Sequence, residues 1–400
     1  MIDLSITSPI FLLCLLCGPL LMAKSVKLRK YSFLFVSLGL FILTLGNWQS
    51  ALIILFFVSF PYCYVKVLQK WNFSVWPAII IQLAVFIYAN KYGWILTFLG
   101  IPIPTVIKVL GISYIFFRQF DILFQVQAKL VENVPIIDYL NYLFSFWTIL
   151  AGPIQRYKDF IYSFYSEKMP LDTKDSLSCF HRAANGMIKI LLLGAFFQYC
   201  SDAAYLGILA HGISLKYFVA MLYCFPLYLY FNFSGYCDVV IAMARWAGFS
   251  LPENFDKPYL SRTVIDFWNR WHITLSQWAR DYIYQPLFKY LISGPMSKYV
   301  QTSQYFSIFI TFFLIGLWHG NSINLVIFGF LQGIGMALSM IYRDICIKKM
   351  GKAGFKIYQE NKWVTAIERF ITLNFMCFSI LFIQYDVFAI LKPLIGLPVI

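Results

Sequence analysis

Residues 304–320 read QYFSIFITFFLIGLWHG. From Tyr305 to Leu317 the run is almost wholly apolar, and it then meets Trp318, His319 and Gly320. An α-helix needs about 20 mostly apolar residues to cross a bilayer, so this run reads as a membrane span that ends on an ionisable ring. An imidazole held at or just within the end of a span is costly, and its default reading is functional.

Similar runs lie outward on both sides, near residues 9–23, 31–48, 50–68, 75–90, 138–154, 183–200, 215–233, 323–342 and 370–391. Of the 400 residues 60% are hydrophobic and 12% charged, about half the charge of an ordinary soluble domain. The expectation is an all-α polytopic membrane bundle with about nine to eleven spans. A helical bundle is preferred to a barrel because barrel strands alternate in polarity, and these runs are continuously apolar. The first run follows Met1-Ile2-Asp3 without a basic leader or small-residue cleavage pattern, so it reads as a retained span. With no low-complexity linker and no internal repeat, residues 1–400 are expected to form one domain.

The net charge of +14 is scattered among apolar segments and forms no extended basic face, which argues against nucleic acid. Lys24, Lys27, Arg29 and Lys30 crowd the first loop, and Lys66 and Lys70 follow a later span. The positive-inside rule puts both loops in the cytoplasm and the N-terminus outside. Nine cysteines sit mostly in apolar runs. Cys14 and Cys17 share one hydrophobic segment, where cysteine behaves as a small apolar residue.

Three stretches interrupt the apolar rhythm: 155–182, 250–303 and 343–369. The last, with seven basic residues against Asp344, Glu360 and Glu368, reads as a solvated loop. Within the middle one, residues 266–284 placed at 100° per residue gather Trp268, Trp271, Leu275, Trp278 and Tyr282 in one sector. Asp266, Asn269, Arg270, Gln277, Arg280 and Asp281 fall opposite, so the reading is one amphipathic helix, lying at the interface or dipping beside a wet cavity. His272 stands at the edge of its aromatic sector.

Chemistry at neutral pH has few carriers here, because the chain holds only His181, His211, His272 and His319. A neutral imidazole at His319 can take a proton from a hydroxyl, and Gly316 and Gly320 leave backbone space beside it for a substrate. His272 reads equally as a satisfied interfacial residue. A second polar group, Asn232, Ser234, Tyr236 and Asp238, falls at membrane depth. Asp238 there requires a partner or a cavity; Arg245 and Arg262 are candidates, and an ion pair and a substrate-binding role stay equally open. No His-x-x-His, Cys/His cluster or carboxylate pair near His319 offers a metal site, and no serine elbow, phosphate loop or dinucleotide fingerprint occurs.

These blocks together resemble a known family. Phe233-Ser234-Gly235-Tyr236-Cys237-Asp238, Pro252-Glu253-Asn254-Phe255, Pro258-Tyr259-Leu260-Ser261-Arg262, the run from Asp266 to Ser276, and Gly316-Leu317-Trp318-His319-Gly320 look like the core of the membrane-bound O-acyltransferases. Ala151-Gly152-Pro153-Ile154-Gln155-Arg156-Tyr157 is similar to a block of their bacterial branch, which holds alginate O-acetylases and the teichoic acid D-alanyl transfer protein. The resemblance implies a funnel-shaped bundle of about eleven helices, some re-entrant or interfacial, in the bacterial inner membrane. It carries the family's invariant histidine onto His319 and its second histidine onto His272.

Implied further is an acyl thioester donor arriving from the cytoplasm, acyl-CoA (acetyl-CoA foremost) or an acylated carrier protein, and no bound cofactor. The acceptor is an extracytoplasmic glycan or polymer hydroxyl, served by a membrane-anchored or extracytoplasmic acyltransferase partner. Trp318, Asn321 and His272 are candidates for steadying the oxyanion. Arg270 and Arg280 are candidates for the donor's phosphates, with snorkelling anchors as the alternative, and Asn269 joins the substrate-binding candidates. O-acetylation of a polysaccharide is the first expectation and D-alanyl transfer to a teichoic acid the second. A transporter, for which polar residues within spans also serve, is the alternative of another class.

Overall fold

The computed structural model describes residues 26–45, 47–71, 73–90, 92–104, 111–166, 172–294, 296–320 and 322–391. The first expected span, with Cys14, Cys17 and Lys24, and the site candidate Asn321 lie outside the described residues. All regular elements among the described residues are helical, and a single isolated bridge joins Phe255 to Trp271. Among the described residues six helices or continuous helical stretches are long and apolar enough to cross a membrane: Trp48–Lys70, Thr173–His211, Leu215–Trp246, Val300–Trp318, Ile323–Glu360 and Lys362–Ile383. Two compact units divide the chain, residues 1–187 with 235–253, and residues 188–234 with 254–400.

In the first unit, α1 (Val26–Thr44) and α2 (Trp48–Lys70) are followed by the shorter apolar α3 (Trp76–Ala89) and by α4 (Gly93–Phe98). Asn47 caps α2 by accepting the Ser50 amide. Next comes α5 (Ile112–Gln127), a helix buried on almost every face although it carries Arg118, Gln119, Asp121 and Gln125. Its polar groups are spent on partners. Asp121, 0% exposed, accepts from the Tyr157 amide at 2.6 Å, the Gln125 amide at 2.8 Å and the Tyr142 hydroxyl at 2.9 Å. Arg118 donates to the Leu143 carbonyl at 2.6 Å and to the Thr148 hydroxyl.

Those bonds explain why residues 138–154 are not the span their hydropathy suggests. Only α6 (Ile136–Leu143) is helical there, and residues 144–155 run without regular helix until α7 (Tyr157–Tyr165). Irregular backbone survives inside a membrane protein only where protein groups satisfy it. Here Arg118 serves Leu143, Tyr236 donates to the Trp147 carbonyl at 3.4 Å, and Tyr142 to the Gln155 carbonyl at 2.7 Å.

The second unit holds α9 (Ala195–His211), which a π-turn at Lys189–Gly194 joins to α8 (Thr173–Ile188), and the first twenty residues of α10 (Leu215–Trp246). The expected amphipathic helix over 266–284 is in fact broken. α11 (Val264–Trp268) stops, residues 269–272 turn, and α12 (Ile273–Ala279) restarts before a π-turn at Arg280–Tyr284 and α13 (Gln285–Ser293). The sorting of faces survives the break: Trp268, Trp271, Leu275 and Trp278 are buried, while Asn269, Gln277 and Arg280 are exposed. Burial is imposed residue by residue, so the polarity pattern is indifferent to whether one helix or two carry it.

Hairpin helices α14 (Val300–Trp318) and α15 (Ile323–Glu360) form the closest seam of this unit. A Cβ on Gly316 would stand 2.1 Å from Gly329 Cα, and one on Gly333 2.7 Å from the Phe309 carbonyl. Gly316 therefore serves helix–helix approach, as small residues do in membrane bundles, and does not provide the substrate space its sequence position suggests. Ser303, Ser307 and Thr311 line the buried side of α14, each hydroxyl returned to the carbonyl four residues before it. Residues 343–369, read as a loop, are also helical. Helix α15 continues across a break at Gly351 (φ 71°, ψ 170°), and Asn361 caps α16 (Lys362–Ile380). A buried chain ties three helices together: Trp268 Nε1 donates to Gln332 Oε1 at 3.0 Å, and Gln332 Nε2 to the Ser379 hydroxyl at 2.7 Å.

Candidate active site

His319 closes α14 as its C-cap, its amide bonded to the Gly316 carbonyl at 3.1 Å. Its ring lies 4.7 Å from that of Trp318 and meets Phe328 of α15 edge-on at 5.7 Å. Among the described residues no side-chain hydrogen bond holds it. The side chain is exposed, yet enclosing protein desolvates it and pushes its pKa below the usual imidazole range. A ring left uncovered by protein on one side but set among protein atoms on the others is open to a substrate, and desolvation favours its neutral form.

His272 occupies the turn between α11 and α12 in the left-handed region, φ 44° and ψ 52°. A non-glycine residue adopts this only where its surroundings over-determine it, and such residues cluster at functional sites. The surroundings are on hand: the Phe255–Trp271 bridge, the Asp256 amide on the Arg270 carbonyl at 2.9 Å, and the Ile273 amide on the Asn254 carbonyl at 3.1 Å pin both sides of the turn. The ring is 5% exposed, lies edge-on to Phe233 at 4.9 Å and has Nδ1 3.3 Å from Asn254 Oδ1. Burial lowers its pKa, and His319 contributes a smaller push in the same direction.

Both shifts have one sign. A lowered pKa keeps the base form to lower pH, so if either ring acts as a base, kcat/KM stays level from pH 8 through about 6.5, the ordinary histidine value. The acid limb falls below that. An acid limb centred at or above the ordinary value, in a pH–rate profile of the enzyme in liposomes, would contradict a desolvated base.

Four of the remaining candidates, Asn232, Ser234, Tyr236 and Asp238, lie on one helix, α10. Asn232 donates to the Tyr228 hydroxyl at 3.4 Å, and Ser234 is buried; both belong to the second unit. Tyr236 and Asp238 fall in the first unit, where Tyr236 reaches the Trp147 carbonyl. The partner of Asp238 is neither Arg245 nor Arg262. Arg182 Nε lies 3.0 Å from it and also grips Glu253 through both terminal nitrogens at 2.6 and 2.7 Å. Arg245 pairs with Asp175 and Arg262 with Glu368. Arg270 bonds to Asp266 at 2.7 Å, Arg280 leans on its neighbour Asp281 at 3.2 Å, and Asn269 is exposed. Trp318 is half-buried beside His319. Sequence reasoning missed Asn254 as a site residue, although its place in the Pro252-Glu253-Asn254-Phe255 block was the available signal; its burial is visible only in the structure. Among the described residues no group of three or more metal-ligating side chains gathers.

The second unit thus holds one accessible imidazole, His319, and one buried imidazole, His272. Residues 118–350 match the membrane-bound O-acyltransferase family, MBOAT, and the chain belongs to it. It is an acyltransferase, which displaces the transport alternative. It is 27% identical over 290 residues to the teichoic acid D-alanyltransferase of Streptococcus thermophilus, covering 69% of this chain and 68% of that one. To the corresponding protein of Bacillus subtilis it is 29% identical over 283 residues, covering 70% and 69%. To a probable alginate O-acetylase of Pseudomonas putida it is 30% identical over 292 residues, covering 68% and 56%.

Proposed function

We propose that this acyltransferase moves an acetyl group from a cytoplasmic thioester to hydroxyls of an extracytoplasmic polysaccharide or glycan at the bacterial inner membrane, with His319 as general base. The observation that carries the reading is the His319 ring itself: accessible, desolvated, and free of side-chain hydrogen bonds among the described residues. The acceptor hydroxyl gives its proton to the imidazole as its oxygen attacks the thioester carbonyl. Collapse of the tetrahedral adduct breaks the C–S bond, and the imidazolium returns the proton to the departing thiolate. Trp318, whose ring lies beside that of His319, and Asn321 are the candidates to steady the oxyanion.

Residues 1–400 are read as one functional domain, with motif blocks at 151–157, 252–255 and 258–262 along it. Polymer delivery is assigned to an extracytoplasmic or membrane-anchored partner. Arg270 and Arg280, each already beside a carboxylate, suit anchoring at the interface at least as well as holding donor phosphates.

D-alanyl transfer from a carrier protein to a teichoic acid is the second reading. It is favoured by the alignments, which span 68% and 69% of the two D-alanyltransferases but 56% of the alginate O-acetylase. The test is mild alkaline release of esters from envelope polymers of cells with and without the chain. Chain-dependent acetate supports the first reading and chain-dependent D-alanine the second. Neither product would overturn both.

A further inference from the structure

The hydrogen bonds around Asn254 assign a proton. Its Oδ1 lies 3.2 Å from the Thr274 amide nitrogen, 2.9 Å from the Thr274 hydroxyl and 3.3 Å from His272 Nδ1. Oxygen and nitrogen of an asparagine amide are told apart only by their partners. A backbone N–H can only donate, so the atom facing Thr274 must be the acceptor oxygen. That oxygen carries no proton of its own, so the His272 nitrogen facing it must bring one.

We propose that Asn254 is a positioning residue which fixes His272 as the neutral Nδ1–H tautomer, leaving the Nε2 lone pair as the group His272 offers to the reaction. The surroundings suit such a role. Asn254 is 0% exposed and Thr274 3%, so water does not compete for these bonds. The side chain is anchored at its own backbone too, since its carbonyl accepts the Ile273 amide at 3.1 Å and the next residue forms the bridge to Trp271. Phe233, edge-on to the imidazole at 4.9 Å, hinders the ring flip that would exchange Nδ1 for a carbon.

A tautomer fixed in this way decides what His272 can do. With Nδ1 protonated and turned toward Asn254, Nε2 accepts a hydrogen bond from an acceptor hydroxyl or from a protonated His319. It does not donate one. His272 thereby moves from the set of oxyanion donors to the set of acceptors that orient the nucleophile. This deepens the acyl-transfer reading and rests on it for its catalytic meaning, whereas the tautomer stands on geometry alone.

The test uses the full chain in liposomes with 15N-labelled histidine and solid-state NMR at pH 8, where only four histidines contribute. The His272 signal is assigned by its loss in His272→Gln. Wild type is expected to show a single neutral tautomer protonated at Nδ1. Asn254→Leu is expected to lose that preference and to lower acyl transfer about tenfold or more, because a wrong tautomer removes the needed lone pair. Asn254→Asp keeps an oxygen acceptor and is expected to retain both the tautomer and most of the activity. A wild-type His272 protonated at Nε2, or a tautomer unmoved by Asn254→Leu, overturns the proposal. If Asn254→Leu does not fold, the wild-type spectrum and Asn254→Asp decide it. A wild-type chain with the expected tautomer but no acyl transfer leaves the Asn254 assignment standing and overturns the proposed reaction instead.

Discussion

Replacing His319 with alanine is expected to lower chain-dependent acylation of envelope polymers by about 10²- to 10⁴-fold, the range a positioned general base supplies, while membrane abundance stays unchanged. The neutrality in abundance follows from the ring's surroundings. It makes no side-chain hydrogen bond among the described residues, and it is exposed. Truncation therefore removes chemistry and little packing. His319→Gln fills similar space without a base and is expected to be equally inactive. Acylation that persists in both variants, measured as ester released per cell at matched abundance, would remove His319 from the mechanism.

A valine in place of Gly316 is expected to do the opposite, losing the protein before it loses the chemistry. The added Cβ would sit 2.1 Å from Gly329 Cα, 2.5 Å from Gly329 N and 3.1 Å from the Leu325 carbonyl. All three are backbone atoms of α15, so no rotamer change relieves the clash; the helices must separate. Overpacking of this kind costs about 1–3 kcal/mol or more. The loss will appear as a lower melting midpoint and a smaller monodisperse fraction in detergent. Gly39 in α1 is the control, because nothing lies within 4 Å of a Cβ placed there. Gly39→Ala is expected to leave the midpoint unchanged or raise it slightly, as alanine favours helix by up to about 1 kcal/mol. Equal midpoints for Gly316→Val and wild type would mean that α14 and α15 do not meet at these glycines.

Legibility differed by element. The runs at 50–68, 215–233, 304–318 and 323–342 were readable because a helix that satisfies its own backbone needs nothing but apolar side chains to enter a bilayer. The same criterion misread 138–154, since a segment buried inside protein is as apolar as one facing lipid. It also passed over α5, whose Arg118 and Asp121 lower its hydropathy although they are buried and bonded. The partner of Asp238 was missed because Arg182 is 56 residues away in sequence, while Arg245 is merely close along the chain.

By itself the sequence determined the solvent, the helical class and the identity of the scarce titratable groups. Those properties depend on composition and on periods of a few residues, which local physics reads directly. The tertiary structure alone decided that Gly316 closes a seam, that the helix expected over 266–284 breaks at His272, and that Asn254 meets that ring from 18 residues upstream. Each of these depends on which distant segments share the limited space of a packed interior. Packing is a property of pairs, and a pair separated along the chain leaves no mark in the local pattern of either member.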